Sequence, residues 1–384
     1  MRQPRHDLVF VSAGLGLDGG GRAAAGRLLA GGCAGFARER SLGFEILSLD
    51  GTGLPDTELP VRGFAGNQRA LALEVWRRQW AGRKAAFVFD LLGPARAQSY
   101  LPAPLRAPYL VPLYGIEAWR PLEWDRRRAL ARATVVFAIS AHTLERARPF
   151  CPDLGGAVVV PLALEERKPE GAADAALLGR LGRGFFLIVG RMDARERYKG
   201  HDQLLEALRG IPDAKLVVAG EGNDRGRLEA KAAGLGMADR TAFTGFTSEA
   251  TLAELYRRCA AFAMPSRGEG FGLVYLEAMR AGKPVLAARA SAAEEIVVEG
   301  KTGLLVDPDD RDELRGALFR LLDHPGEAKR MGEAGFELWR RDLGAERFRE
   351  RLTPLLERLV SPHPPAPSPI ALPPTGRGGD HVRH

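Results

Sequence analysis

The chain has 384 residues, 45% of them hydrophobic and 27% charged, an ordinary globular balance that excludes intrinsic disorder; no apolar run approaches the ~18 residues of a membrane span. A net charge of +7 suits anionic partners such as phosphates or acidic lipid, but no zinc spacing, RNP-like aromatic signature or basic recognition helix supports nucleic acid. The widely separated Cys33, Cys151 and Cys259 exclude a disulfide framework and a zinc site and suit a reducing, cytoplasmic compartment.

In chain order, the runs "LVFVSA", "FEILSL", "AAFVFDLL", "PYLVPLYG", "TVVFAIS" and "AVVVPLAL" alternate with helical patterns up to about residue 160. Buried strands separated by helices predict a parallel sheet covered on both faces. Ser140 before "AHTLERA" reads as an N-cap. The stretch "RALALEVWRRQWAGRK" sets Trp76 and Trp80 at i, i+4 beside Arg77, Arg78, Arg83 and Lys84. It reads as a helix packing its tryptophans inward, with peripheral contact to an anionic membrane as the second reading.

The first run leads into Gly14, Gly16 and Gly19, spaced G-x-G-x-x-G, and then into an alanine-rich helix. Two ligands suit such a loop. One is a dinucleotide, with Asp50 as the ribose acid, although Asp50 lies 31 residues past Gly19 where ~20 is usual. The other is an anion or sugar held by helix N-terminal amides.

Charge, proline and glycine over 164–183 mark an interdomain linker with one short helix. A second alternating unit follows through "FFLIVG", "AKLVVAG", "TAFTG", "AAFAMP", "PVLAA" and "GLLV", with helices predicted at about 201–209, 224–234, 248–258, 273–281 and 310–323. Residues 325–360 read as helical throughout, and the Pro-rich 361–384 as a disordered tail.

The segment 264–308 carries the sharpest chemistry: Glu269 and Glu277 are separated by seven residues, with Gly270, Phe271 and Gly272 between the first acid and a helix. Glu277 falls about a turn and a half into that helix, at ~3.6 residues per turn, and Glu269 in the loop before it. Two carboxylates flanking free amides suit a diphosphate with hydroxyl-bearing groups at either end. Upstream, Arg191 falls just past a strand and Lys199 just before a helix, a pair of cations suited to a diphosphate.

The motifs "VGRM…YKG", "VVAGEG", "TGF", "MPSRGEGFGLVYLEAM", "GKPVLA" and "GLLVDP", in this order over about 183–340, resemble the C-terminal domain of family 4 retaining glycosyltransferases of GT-B architecture, a glycogen- and starch-synthase-like domain. The N-terminal half is similar through its glycine loop and "YGIEAW". The resemblance implies an α/β GT-B fold in which two Rossmann-like, doubly wound domains face each other across a cleft. An N-terminal acceptor-binding domain would span 1–165, a nucleotide-sugar-binding domain 166–345 and a C-terminal helix 346–360.

It further implies a hexosyltransferase of glycan or polysaccharide biosynthesis. Sugar would move with retention from a UDP- or GDP-linked donor to a hydroxyl of a glycan, lipid-linked or small-molecule acceptor, without metal or other cofactor. Arg191 and Lys199 would bind the donor diphosphate, Glu269 the transferred sugar and Glu277 the ribose. The backbone of Gly270, Phe271, Gly272 and Leu273 would hold sugar and phosphate, with Gly19 and Gly20 closing on the donor from the other domain. Tyr114-Gly115 stands where many members have His-Gly lining the reaction centre, and the Arg191 to Lys199 gap is longer than in the commonest members. The alternatives are a non-catalytic sugar-nucleotide-binding scaffold and an NAD-dependent oxidoreductase.

Overall fold

The computed structural model describes residues 7–16, 20–55, 57–80, 85–152, 154–164, 169 and 171–361. The predicted tail, beyond Ser361, lies outside the described residues. The chain forms two compact units, one taking it up to residue 165 and again from residue 344, the other running from 166 to 343.

In chain order the first unit contains β1 (Asp7–Ser12), α1 (Gly20–Glu39), β2 (Gly43–Ser48), β3 (Val61–Gly63), α2 (Gln68–Trp80), β4 (Ala85–Phe89), α3 (Leu92–Ala95), β5 (Tyr109–Leu113), α4 (Trp124–Ala131), β6 (Val135–Ala138), α5 (Ala141–Ala147) and β7 (Val158–Val159). Its strands form one parallel sheet in the order β3-β2-β1-β4-β5-β6-β7. Val9 of β1 stands opposite Glu45 of β2 and Phe87 of β4, which fixes the central register. β1, β4 and β5 are almost entirely buried, as unbroken apolar runs between two helical layers must be.

The second unit continues with α6 (Ala175–Leu181), β8 (Phe186–Val189), α7 (His201–Arg209), β9 (Leu216–Ala219), α8 (Arg225–Gly234), β10 (Thr241–Gly245), α9 (Glu249–Arg258), β11 (Ala261–Met264), α10 (Leu273–Arg280), β12 (Val285–Ala288), β13 (Gly303–Val306), α11 (Arg311–Asp323) and α12 (Pro325–Asp342). Its sheet is also parallel, in the order β10-β9-β8-β11-β12-β13. The strand order reverses between β1 and β4 in the first sheet and between β8 and β11 in the second. Such switch points, beyond the strands' carboxyl ends, are where open α/β sheets take ligands. The glycine loop follows β1, and the Arg191 and Glu269 loops follow β8 and β11.

The strands and helices follow the sequence pattern closely, with three differences. β3 is a three-residue edge strand whose residues are all exposed, so it leaves no apolar period to read. "AVVVPLAL" yields only the two-residue β7. The helical stretch breaks at Leu343-Gly344 into α12 and a final α13 (Ala345–Val360).

Helix α13 belongs to the first unit, where it packs on α1 and on β4, β5 and β6. Phe348, Leu352, Leu355, Leu356 and Leu359 form its buried stripe. Gly32 of α1 makes room, because a Cβ there would lie 2.7 Å from Leu352 Cδ2.

Helix α2 buries Leu71 and Val75 and half-buries Trp76, whose indole donates to the Ala97 carbonyl at 2.9 Å. Trp80 is exposed. Arg77 and Arg78 are paired within the protein, both with Glu74 and Arg78 also with Glu45 at 2.6 Å; Arg83 and Lys84 lie outside the described residues. Ser140 caps α5 by accepting from the Thr143 amide, and the cysteines are buried thiols outside any disulfide. No described helix is long and apolar enough to cross a membrane.

Candidate functional site

The second unit gathers its charges by close backbone approach. Gly190, just past β8, lies against the Lys199 side chain, and a Cβ there would stand 3.3 Å from Nζ. Lys199 ends a single 3-10 turn, Arg197–Lys199, and Gly200 follows in the left-handed region at φ 91°. A Cβ on Gly200 would sit 2.9 Å from the Pro265 carbonyl oxygen. A side chain at Gly200 would push the lysine turn away from the loop after β11, and one at Gly190 would make the Lys199 side chain give by a few tenths of an ångström.

Between the two cations lies an acid that sequence reasoning passed over. Glu196 pairs with Arg191 through one carboxylate oxygen and lies 3.0 Å from Lys199 Nζ through the other. Lys199 is largely enclosed at 15% side-chain exposure, whereas Arg191 is 72% exposed. The intervening loop is stapled down: the Arg197 guanidinium forks onto Asp224 at 3.0 and 2.8 Å, and the Met192 amide donates to the Glu221 carbonyl at 2.9 Å. Arg227 grips Asp224 and Asp202 from the other side.

Past β11, Glu269 sits in the loop before α10. Burial pushes its carboxyl above the ordinary range; the Lys199 charge and the Ser266 hydroxyl oppose that rise, and Glu196 adds to it. Lys199, Glu196 and Glu269 therefore share one electrostatic neighbourhood. Gly272 caps α10 at φ 96°, with the Tyr275 ring so close that a Cβ would lie 2.3 Å from it. Tyr275 is itself fixed by donating to the Met264 carbonyl at 2.9 Å. The first-turn amides of α10, those of Leu273 and Val274, have no partner within the helix and present a positive dipole end.

Glu277 lies in the second turn and accepts a 2.7 Å hydrogen bond from the Tyr256 hydroxyl of α9. Burial raises its pKa, and that hydrogen bond opposes the shift. Phe271 is 3% exposed, so its ring belongs to the core and only its backbone can serve a ligand.

The carboxyl ends of β8, β9 and β10 are drawn together, since the Gly220 amide donates to the Gly245 carbonyl at 3.1 Å and a Cβ on Gly220 would clash with the Gly190 carbonyl. On that edge Phe246 is 79% exposed, a large bare ring one residue past β10. Its signal in the sequence was the "TGF" motif, which gives no hint of exposure.

In the first unit the glycine loop proves tightly braced. Ser12 Oγ donates to Asp90 Oδ2 at 2.6 Å, the Ala13 amide donates to the same carboxylate, and the Gly14 amide to Ser12 Oγ. The Leu15 amide donates to Thr52 Oγ1 at 2.6 Å, and buried Arg27 of α1 donates to the Leu15 and Gly16 carbonyls. Asp50, considered above as a ribose acid, accepts from Ser48 Oγ and from both the amide and hydroxyl of Thr52. A Cβ on Gly14 would fall 2.1 Å from its Oδ2. Gly20 opens α1 at φ 63°, and among the described residues nothing lies within 4 Å of where a Cβ would stand; Gly19 lies outside the described residues.

Asp90 is 3% exposed, and burial pushes its carboxyl up to about 7. Tyr114 turns a buried hydroxyl, without a hydrogen-bond partner among the described residues, into the neighbourhood of Asp90, Glu117 and Cys33. Its amide and that of Gly115 both donate to the Glu117 carboxylate. Sequence reasoning missed both Asp90 and Glu117. The structure thus brings Arg191, Lys199, Glu269, Gly270, Gly272, Leu273 and Glu277 together within the second unit, while Gly20 and Tyr114 belong to the first.

The family profile "Glycosyl transferases group 1" matches residues 174–338, within the second unit. A GDP-mannose-dependent alpha-(1-6)-phosphatidylinositol monomannoside mannosyltransferase of Mycolicibacterium smegmatis is 36% identical over 226 residues, 54% of this chain and 59% of that protein. An alpha-D-kanosaminyltransferase of Streptomyces kanamyceticus is 30% identical over 222 residues, 55% of this chain and 57% of that protein. The chain thus spans about three fifths of the length of the curated relatives it matches.

Among solved structures, a sucrose-phosphate synthase from Thermosynechococcus elongatus superposes with a TM-score of 0.74 at 21% identity, covering 92% of this chain and 99% of the other. HepE of Anabaena, solved in complex with UDP and glucose, gives 0.70 at 20% identity over 91% of this chain and 99% of its own. The fold is the GT-B fold, two Rossmann-like α/β units in one chain.

Proposed function

We propose that the chain is a retaining glycosyltransferase that transfers a hexose from a UDP- or GDP-linked donor to a hydroxyl group of a glycan or glycolipid. The observation that carries this reading is the convergence of Lys199, Arg191 and Glu269 beside the open N-terminus of α10. A diphosphate would lie on the α10 amides, with Lys199 and Arg191 compensating the charge that grows on it as the glycosidic bond breaks. Glu269 would accept hydrogen bonds from the transferred sugar and Glu277 from the ribose, each carboxylate oriented before the ligand arrives.

Phe246 offers a bare aromatic face to the donor base. The name of the Mycolicibacterium smegmatis relative specifies a GDP-mannose donor and a phosphatidylinositol monomannoside acceptor for that protein. It favours GDP and a lipid-linked acceptor here, which would bring the enzyme to the face of a membrane. In the retaining mechanism the departing phosphate oxygen takes the acceptor proton, so the role of the protein is placement and charge stabilisation. Against the dinucleotide alternative, the amides of Ala13, Gly14 and Leu15 and one carboxylate oxygen of Asp50 are already engaged within the protein.

Incubation with GDP-mannose, UDP-glucose and related donors, followed by proton NMR of the product on a simple glycoside acceptor, tests the reading. The donor's anomeric configuration should be retained in the product. Lys199→Ala and Glu269→Gln should each lower kcat about 100-fold or more while the protein stays folded. An inverted product, or full activity in both variants, would reject it.

A further inference from the structure

Resting on the assignment of Arg191 and Lys199 to the donor diphosphate, we infer that Glu196 is a built-in stand-in for that diphosphate, occupying its two cations until the donor arrives and competing with the product afterwards. Seven residues separate Arg191 from Lys199, and Glu196 sits among them, at the start of the 3-10 turn that ends in Lys199. One of its carboxylate oxygens is on Arg191 and the other faces Lys199 Nζ at 3.0 Å. Two oxygens on one bridging group, each meeting a cation, is the pattern that non-bridging phosphate oxygens would offer the same residues.

The second contact is incomplete in a telling way. Oε2 is buried and lies close to Nζ without the alignment of a hydrogen bond. A phosphate oxygen placed to receive a lysine proton would replace it with a better contact.

The loop that carries Glu196 is held at its flanks, by the Ala194 amide donating to Asn223 Oδ1 and by the Arg197 fork on Asp224. Its backbone therefore stays while the flexible side chain swings aside. Displaced but nearby, the carboxylate repels the bound diphosphate and speeds release of the nucleoside diphosphate after transfer. Empty, the site holds two cations already compensated, which limits its affinity for stray phosphate. In this account Glu196 is a positioning residue that sets how tightly the diphosphate is held and takes no part in the chemistry.

Calorimetric titration of the full chain and of Glu196→Gln with GDP and UDP, and with guanosine and uridine, tests this. The substitution should tighten the diphosphate Kd about tenfold and leave the nucleoside Kd unchanged, with kcat falling as KM falls because product leaves more slowly. Glu196→Ala should behave alike. A loop role alone would weaken diphosphate and nucleoside together, and unchanged or weaker diphosphate binding in both variants would overturn the inference. Failure of the wild-type chain to bind any nucleoside diphosphate would instead reject the donor-site assignment, and the inference with it.

Discussion

At the residue scale the decisive feature is how each charge is compensated. Asp90 is enclosed beneath the loop after β1 and is pushed up to about 7, mainly by burial. A carboxyl raised in the folded state stabilises that state fully at low pH, below the ordinary range of a free aspartate. The contribution is lost as the pH rises through the folded value. Relative to Asp90→Asn, the wild type should therefore lose stability as the pH climbs from about 4 to about 7 and run parallel above that; urea unfolding across this range measures the difference. Phe246→Ala should weaken nucleoside diphosphate binding about tenfold or more by removing a stacking face, leaving the unfolding midpoint unchanged because the ring is 79% exposed; calorimetry and thermal unfolding read the two effects.

Arg191, Lys199, Glu269 and Glu277 were legible because they sit in contiguous motifs whose spacing reports a strand end or a helix start. Glu196, Asp90, Glu117 and Phe246 were not. Their roles depend on a bridge between two cations, a buried carboxyl under a loop, a carboxylate folded back on a turn and a ring left uncovered, none of which has a periodicity to read.

At the element scale the alternation of apolar runs and helical patterns sufficed for all but the shortest strands, because a parallel sheet buried on both faces writes itself as continuous Val, Ile, Leu and Phe. β3 escaped because all of its residues are exposed. α13 shows a different limit. Its apolar stripe was visible as helix, but a stripe does not name its partner, and that partner is α1, more than 300 residues away in the chain. Phe348 is fully buried there, so Phe348→Ala should cost about 3–5 kcal/mol of unfolding free energy. Hydrogen exchange should show the loss of protection in α1, β4 and β5 and leave α7 to α10 unchanged. Loosening confined to the second unit would contradict the assignment of this helix.

At the scale of the whole molecule the chain is built from two α/β units. The cations, the acids and the helix N-terminus suited to a diphosphate all belong to the second, which is also where the family profile matches. The excess of seven positive charges suits an anionic substrate, although much of the arginine is committed to internal pairs such as Arg77 and Arg78 with Glu74. The most direct test of the central claim is thermal unfolding of the full chain titrated with GDP, UDP, ADP and NAD, wild type beside Lys199→Ala. A donor site built on Lys199 should give a dose-dependent rise in Tm with one nucleoside diphosphate, none with NAD, and loss of the rise in the variant. Stabilisation by NAD alone, or a nucleoside diphosphate effect undiminished in Lys199→Ala, would contradict it.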